Sequence, residues 1–323
     1  MEKKQTPVQE KFKTMIGGQA LIEGILMRGP EKQAIVVRSQ DGLVEKVEPL
    51  RANRKRCPVW GWPLIRGVVN FGGSMYSGVK ALMFSADYYQ GDEDLSDEPT
   101  KFERWIEKHF GTKAMEQFIL VLAVVLGIGF SIGLFFLLPM LLSEFALAWI
   151  GSDFVRNLIE GVVRVAIFLG YMIAVSRLKD MKRVFSYHGA EHKTIRCYEA
   201  KLPLTVENVR PMTRLHPRCG TSFLFVVMIV SILVFSVFSS IFHIKAKLLK
   251  VLVKLLLLPV VVSISYEFNR FVGRHDNAVT RALSYPGMAL QNFTTNEPDD
   301  SMIEVAIRAL ELVLPEREGD DRW

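Results

Sequence analysis

Long apolar runs alternate with polar segments along this chain and predict a helical membrane protein. Gln117–Leu142 and Thr221–Phe242 contain no charged residue. Since about 20 helical residues cross the hydrocarbon core of a bilayer, each run is long enough to span it. Asn157–Ser176 and Leu248–Tyr266 are also apolar apart from a few charged residues, so we expect four spans in total.

Charged residues inside the last two of these segments have definite expected positions. Glu160 and Arg164 are four residues apart with the acid first, so they are expected to pair on one helix face. Lys250 and Lys254 fall near the start of the last span, where their side chains are expected to extend towards the membrane interface.

The segment Trp62–Tyr89 shows the period of an amphipathic helix. Apolar residues recur at steps of three and four, and polar residues take the opposite face. Such a helix can lie in the cytoplasmic membrane interface, re-enter the bilayer, or pack on a soluble domain. The apolar positions are Leu64, Val68, Phe71, Met75, Val79 and Leu82, and the polar ones are Arg66, Asn70, Ser77 and Lys80.

Two further elements are expected outside the membrane. Ala34–Arg38 and Leu43–Val47 flank Gln40-Asp41-Gly42, a pattern typical of a β-hairpin. Near the C-terminus, Ser301–Leu314 predicts a soluble amphipathic helix that ends before Pro315.

Composition is consistent with membrane insertion. Half of the 323 residues are hydrophobic and 23% are charged, and the mean hydropathy is +0.21. The net charge of +6 is mild for a membrane protein, so we expect no nucleic-acid partner. Three scattered cysteines, Cys57, Cys197 and Cys219, argue against a disulfide framework and suit a reducing compartment or a metal site. The first 15 residues are polar, so we expect no cleavable signal peptide.

Basic residues set the expected orientation. The connection from Leu142 to Asn157 contains a single arginine, whereas residues 177–220 contain ten lysines and arginines. By the positive-inside rule, the N-terminus, the 177–220 loop and the C-terminus of this multi-pass cell-membrane protein face the cytoplasm. Lys245, Lys247 and Lys250 count against this orientation but are the minority.

The 177–220 loop carries an H-x-x-E-H pattern at His188, Glu191 and His192. On a helix, residues four apart share a face, so the two imidazoles can bind one metal ion. Glu191 is placed to act on water as a general base, in the inverse order of the H-E-x-x-H proteases. Alternatively, Glu191 is itself a ligand or pairs with Lys193 or an arginine, and the two histidines only form hydrogen bonds.

Further candidate ligands lie on the same expected side of the membrane. His216 and Cys219 directly precede the third span, where the cysteine is either a ligand or a small buried hydrophobic residue. Glu267 follows the last span and is either a ligand or the partner of Arg270. Glu23 is a weaker candidate near the N-terminus.

These observations predict a mainly α fold, a polytopic helical membrane protein of about four spans with a small β-rich N-terminal cytoplasmic segment. The expected segments are a disordered N-terminus (1–15), the β-rich cytoplasmic segment (16–60), the interfacial or re-entrant helix (61–90), an acidic linker with a short helix (91–116), a first transmembrane hairpin (117–176), the cytoplasmic loop with the candidate metal site (177–220), a second transmembrane hairpin (221–266) and a cytoplasmic C-terminal segment (267–323).

Four strings of the sequence resemble the YqhQ family of bacterial membrane proteins, from about residue 15 to 313. The resemblance implies a predicted metal-dependent enzyme of otherwise unknown function, and it implies no substrate. This implication rests on the same His and Glu residues and adds no independent support. The strings are GGQALIEGILMRGP (17–30), YHGAEHKT (187–194), HPRCGTSF (216–223) and YPGMALQNFTTNEP (285–298).

The sequence therefore favours a membrane metalloenzyme that faces the cytoplasm. We expect a divalent metal, zinc in preference because a thiolate is available, held by His188 and His192 with help from His216, Cys219 or Glu267. Glu191 is expected to activate water for hydrolysis of a peptide, membrane-protein or lipid-linked substrate at the membrane surface.

Two other functions are consistent with the same residues. In the first, His188, His192, His216 and Cys219 form a closed structural metal site in a non-catalytic protein that assembles or handles membrane proteins. In the second, the chain is a transporter, which is less favoured because its spans show a single charged pair and no clear inverted repeat.

The orientation predicts that a reporter fused after Gly151 is translocated. Alkaline phosphatase, which is active only outside the cytoplasm, is expected to be active at this position and inactive when fused after the last residue. Inverted activities at the two positions would contradict the orientation, and equal activities would contradict the span count.

Overall fold

A computed structural model describes residues 12–50, 57–89, 112–146 and 153–322, except 243, 245, 276 and 318. The chain forms two compact units. The first comprises residues 1–89, 172–230 and 258–323, and the second comprises residues 90–171 and 231–257. Residues 1–11 of the predicted disordered N-terminus and 91–111 of the predicted acidic linker lie outside the described residues.

A four-stranded antiparallel sheet in the first unit confirms the predicted N-terminal β-structure. Its strands pair in sequence order, and the predicted hairpin joins the last two, where Ser39 pairs with Gly42. Gly42 has a φ of 123°, which glycine adopts without strain. The strands are β1 (Gly17–Leu21), β2 (Gly24–Arg28), β3 (Lys32–Ser39) and β4 (Gly42–Pro49).

Helices make up most of the described chain. A 3₁₀ turn at Pro58–Gly61 precedes the first helix, and a π-helical turn at Gly133–Leu137 joins the second to the third. The helices are α1 (Ile65–Ala86), α2 (Thr112–Ile132), α3 (Leu138–Ala146), α4 (Asp153–Val175), α5 (Lys179–Glu199), α6 (Val206–Val209), α7 (Gly220–Ile241), α8 (Lys247–Arg274), α9 (Ala278–Thr294) and α10 (Asp300–Glu311).

Four helical segments are long and apolar enough to cross a membrane, which confirms the predicted polytopic fold. They are Val121–Ser143, Phe154–Val175, Gly220–Ile241 and Leu248–Arg274. The last one extends beyond the predicted end at Tyr266, because α8 continues as one helix to Arg274.

The sheet of the first unit is covered by helices on both faces, which explains its continuous apolar runs. Ile25 and Met27 of β2 pack with residues of α5 and α10. Leu26 and Ile35 belong to the opposite face, where Ala81 of α1 is buried. As a result α5, which carries the H-x-x-E-H pattern, is held firmly against the sheet.

The C-terminal segment contains one helix that was predicted and one that was not. α10 matches the predicted amphipathic helix, and Asp299 caps it by accepting a hydrogen bond from the Met302 N–H at 2.9 Å. α9 was missed, although Asn277 and Thr280 form a capping box at its start. Pro286 and Gly287 inside α9 weaken its helical signal in the sequence.

A buried charge cluster lies in the second unit. Glu160 accepts hydrogen bonds from Arg164 at 2.6 Å, as predicted, and from Lys254 at 2.5 and 2.7 Å. The prediction that Lys254 extends towards the interface was wrong, because this lysine is only 7% exposed and neutralises Glu160. Arg164 also donates to the carbonyl of Phe135 in the π-helical turn, at 2.7 Å. The cluster therefore satisfies the irregular backbone of the first span.

Removing the acid from this cluster is expected to be far more damaging than removing the lysine. Glu160→Ala leaves Arg164 and Lys254 as unpaired buried cations, so we expect a loss of about 3–5 kcal/mol in stability. Lys254→Met keeps the Glu160–Arg164 pair and is expected to cost less. Thermal unfolding of the two variants in detergent measures the difference, and equal unfolding temperatures would contradict the cluster.

Candidate metal centre

The predicted H-x-x-E-H segment lies in the middle of α5, and most of it is buried. Tyr187 and Ala190 contribute to the main hydrophobic core with the sheet and α10. Gly189 allows a close approach of the chain after α9, because a Cβ at this position would overlap the carbonyl oxygen of Asn296. The same approach places the end of α9 beside His188. The small residues of the pattern thus serve packing, while its polar residues face inwards.

Three of the predicted metal ligands come together. The Nε2 atom of His188 lies 3.1 Å from the Sγ atom of Cys219. The rings of His188 and His192 are 4.4 Å apart between centroids. One potential ligand atom from each of His188, His192 and Cys219 falls within 4.8 Å of the others.

Two main-chain carbonyls orient the imidazoles. The Nδ1 atom of His188 lies 2.7 Å from the carbonyl oxygen of Thr294, and that of His192 lies 2.5 Å from the carbonyl oxygen of Arg214. Because a carbonyl oxygen only accepts hydrogen bonds, both Nδ1 atoms carry the proton and donate it. The Nε2 atoms are therefore the ones turned towards the cluster.

The thiol of Cys219 lies at the start of α7, directly before Gly220. Burial raises the pKa of this thiol, but the charges of His188 and His192 and the hydrogen bond with His188 outweigh burial and hold the pKa well below its usual value. Burial lowers the pKa of His188. The charge of Cys219 and its hydrogen bond to His188 outweigh this effect and raise the pKa of His188 to about 9. The contact between the Nε2 atom of His188 and the Sγ atom of Cys219 thus shifts the pKa values of both groups in the direction that favours their charged forms.

Glu191 lies beside the cluster without joining it. Its Oε1 atom accepts a hydrogen bond from the Gly18 N–H at 2.9 Å. Its Oε2 atom and the Nε2 atom of His192 are buried and have no hydrogen-bond partner among the described residues. Burial raises the pKa of Glu191, although His188 and His192 oppose this effect. Two unsatisfied buried atoms at one place are costly unless a ligand or water binds between them.

The structure does not bring His216 into the three-residue cluster. Its ring lies 5.5 Å from that of His192, and its Nε2 atom points to Glu199 at 3.6 Å and Arg218 at 3.4 Å. Gln291 fixes the main chain of His216 by accepting from its N–H at 2.8 Å and donating to its carbonyl at 2.6 Å. Burial lowers the pKa of His216 to about 4. His216 therefore packs against the ring of His192 without contributing its Nε2 atom to the three-residue cluster.

Glu267 and Glu23 are also placed elsewhere. Glu267 forms a two-pronged ion pair with Arg66 of α1, in place of either the predicted cluster or the alternative partner Arg270. Glu23 pairs with Arg183 and accepts a hydrogen bond from the Tyr187 hydroxyl at 3.2 Å. Both carboxylates have arginine partners supplied by other segments, which removes them from the metal cluster.

Two contacts of the site were missed from sequence. The sequence predicted that the N-terminal string contributes the carboxylate of Glu23. In the structure it contributes the main-chain N–H of Gly18 instead. The carbonyl of Thr294 comes from α9, a helix that was not predicted. Main-chain groups leave no residue-type signal, so only the Gly17-Gly18 pair, which allows close approach, pointed towards this part of the site.

The closeness of β1 to Glu191 predicts a specific effect of substitution. A Cβ on Gly18 would lie 2.7 Å from the Leu26 carbonyl oxygen and 3.0 Å from Cδ of Glu191, so Gly18→Ala is expected to cost about 1–3 kcal/mol in stability. Gly17→Ala is the matched control, because a Cβ there meets no atom within 4 Å. Thermal unfolding measures both, and equal unfolding temperatures would contradict the close packing of Gly18.

Comparison with known proteins assigns the family. The family described as "Protein of unknown function (DUF1385)" matches residues 62–316. The uncharacterized protein YqhQ of Bacillus subtilis (strain 168) is 34% identical over 308 residues, which cover 95% of this chain and 94% of that protein. No solved structure matches the chain. The predicted resemblance is therefore confirmed, and the chain belongs to the DUF1385 family, a family of unknown function.

Proposed function

We propose that the protein is a membrane-embedded, metal-dependent hydrolase in which His188, His192 and Cys219 bind a divalent cation. The observation that carries the proposal is the orientation of the two imidazoles. Their Nδ1 protons are held by main-chain carbonyls, so both Nε2 atoms face the sulfur. Metal-binding histidines in proteins are oriented in this way by the groups around them.

The donor set favours zinc. A thiolate and two imidazoles suit zinc and disfavour magnesium and calcium, which prefer oxygen ligands. The lowered pKa of Cys219 favours the deprotonated sulfur that metal binding requires. His188, His192 and Cys219 would hold the cation, since one potential ligand atom from each lies within 4.8 Å of the others.

The number of ligands favours a catalytic site over a structural one. Structural zinc sites in proteins have four protein ligands, whereas catalytic sites have three and leave a position for water. The closed alternative needs His216 as the fourth ligand, and the Nε2 atom of His216 faces Glu199 and Arg218. A three-ligand site with one open position is therefore the better supported reading.

Glu191 is the proposed general base. When bound, zinc supplies Lewis-acid activation of a water molecule. Glu191 accepts the proton of that water at Oε2, which is buried and has no other partner among the described residues. The hydrogen bond from Gly18 to Oε1 keeps the carboxylate in position. The raised pKa of Glu191 makes it a stronger base than an exposed carboxylate.

We infer the substrate class from the position of Cys219 at the start of a candidate membrane span. This residue directly precedes a candidate membrane span, so the cluster lies where that span begins. The excess of Lys and Arg in residues 177–220 supports a cytoplasmic site in the cell membrane, with both termini in the cytoplasm. We therefore propose a peptide, membrane-protein segment or lipid-linked molecule at the cytoplasmic membrane face as the substrate class.

One observation favours a second candidate function. The Cys219 thiolate and the His188 imidazolium, 3.1 Å apart, also resemble the activated pair of a cysteine nucleophile. In that function Cys219 itself attacks the substrate and no metal is needed. Purified wild-type protein that is active without bound metal would favour this candidate.

Metal analysis of the purified chain tests the leading proposal. Wild-type protein is expected to carry stoichiometric zinc by elemental mass spectrometry. His192→Ala and Cys219→Ala are expected to lose it, since removing a ligand weakens binding by more than the roughly 10–100-fold typical of changes behind the ligands. Equal zinc content in wild type and His192→Ala would refute ligation by this histidine.

Two control variants separate the catalytic site from the structural one. His216→Gln is expected to retain zinc in the three-ligand site, whereas a closed four-ligand site would lose it. Glu191→Gln is expected to retain zinc and abolish turnover, so membrane lipid and peptide extracts of cells with this variant should match those of cells without the protein. Extracts that match wild type would contradict catalysis by Glu191.

A further inference from the structure

Helix α1 packs on the first unit through its small and polar side. Gly67 lies against α8, where a Cβ would come within 2.9 Å of Ser263. Asn70 donates a hydrogen bond to the Tyr266 hydroxyl at 2.9 Å, and Arg66 pairs with Glu267. The arrangement predicted for a helix on a soluble domain, with the apolar face inwards, is therefore reversed.

The C-terminal half of α1 packs on the sheet in the same manner. Gly78 contacts the amide group of Gln19, and Ala81 is fully buried in the cluster with the apolar residues of the sheet. Lys80 forms an ion pair with Glu48 at 2.7 Å. Both halves of the helix are thus fixed to the first unit by glycine, alanine and hydrogen-bonding side chains.

The opposite side of α1 is a continuous apolar surface. Met75 and Val79 are 53% and 50% exposed. A soluble helix buries such residues, because exposing them to water loses about 25 cal/mol for each Å² of apolar surface. We name this side the apolar stripe; its exposed members are Val68, Met75, Tyr76, Val79, Leu82 and Met83.

The position of α1 indicates what covers the apolar stripe. Its first turns lie against Ser263 and Tyr266, close to Glu267, the first charged residue of α8 after Lys254. Its Phe71 ring lies 5.7 Å from Phe223, near the start of the span formed by α7. α1 thus begins at the level where two membrane spans meet the polar part of the protein.

Aromatic residues mark the same level. Trp60 and Trp62 directly precede α1 and are 39% and 57% exposed. Tryptophan is enriched where membrane proteins cross the boundary between hydrocarbon and water, since its ring is apolar and its N–H is polar. Two exposed tryptophans directly before a helix that packs on the candidate span of α8 are typical of this boundary.

We propose that α1 is an in-plane membrane helix whose apolar stripe is covered by lipid acyl chains. In this position Phe71 lies beside Phe223 at the start of α7, and the apolar stripe faces the hydrocarbon. In this arrangement α1 attaches the sheet and α5 to the membrane in addition to the spans. This surface brings lipid or lipid-anchored molecules alongside the first unit, independently of the chemistry at His188 and Cys219.

Spin-label accessibility of the full chain in phosphatidylcholine–phosphatidylglycerol vesicles tests this proposal. Val79→Cys probes the stripe, and Val47→Cys of β4 is the matched control, because both valines are about half exposed, at 50% and 47%. Cys57→Ser is present in both variants, and a sample with Cys57→Ser alone measures any label on the buried Cys197 and Cys219. Met75→Cys provides a second stripe position if Val79→Cys does not fold.

The order of accessibility to oxygen and to a water-soluble nickel complex is expected to be opposite at the two positions. A label on the stripe should collide with oxygen more than with a water-soluble nickel complex, and a label at Val47 should show the reverse. Nickel accessibility at Val79 equal to that at Val47 would overturn the proposal. Protection from both reagents would also overturn it, and would indicate that a second copy or another protein covers α1.

Discussion

Two hydrogen bonds from imidazole N–H groups to main-chain carbonyls determine the chemistry of the candidate centre. They fix the protonated nitrogen of His188 and His192 and so direct the other nitrogen of each ring to one point. Without them each ring can rotate and exchange tautomers, and two histidines on one helix face would be an ordinary polar surface. The carbonyls belong to Arg214, 22 residues after His192, and to Thr294, 106 residues after His188, so the site exists only in the folded first unit.

This constraint explains why a polar helix is placed in a core. Burying charged and polar groups is costly unless each one finds a partner. Segments that follow α5 in the chain supply such partners. Lys193, for example, donates a hydrogen bond to the Arg210 carbonyl at 2.8 Å and pairs with Glu297. Once these bonds are made, Glu191, His192 and Thr294 each retain a buried side-chain atom without a hydrogen-bond partner among the described residues. The remaining binding capacity is therefore concentrated at the proposed metal position.

Much of the fold can be predicted from local sequence patterns. Most of the site cannot, because its geometry depends on residues that are distant in sequence. The spans, the β3–β4 hairpin and the face shared by His188 and His192 follow from residue periodicity alone. His216 and Cys219 looked equivalent, yet they point in different directions because Gln291 of α9 fixes the main chain of His216. Glu267 likewise depends on Arg66, 201 residues away in sequence. No local pattern encodes a partner at that distance, and a main-chain donor such as Gly18 has no side chain to recognise.

The same geometry links the candidate centre to the bilayer. Two of the three converging side chains come from α5, whose position is set by its packing on the sheet, whereas Cys219 precedes α7, whose depth depends on how the span Gly220–Ile241 fits the hydrocarbon core. α1 contacts both environments, since Ala81 packs on the sheet and Phe71 lies beside Phe223 of α7. The distance between the Cys219 sulfur and the imidazoles therefore depends both on the packing of α5 on the sheet and on the position of the first turn of α7. The proposed centre therefore needs both the packing of α5 on the sheet and the correct placement of the start of α7.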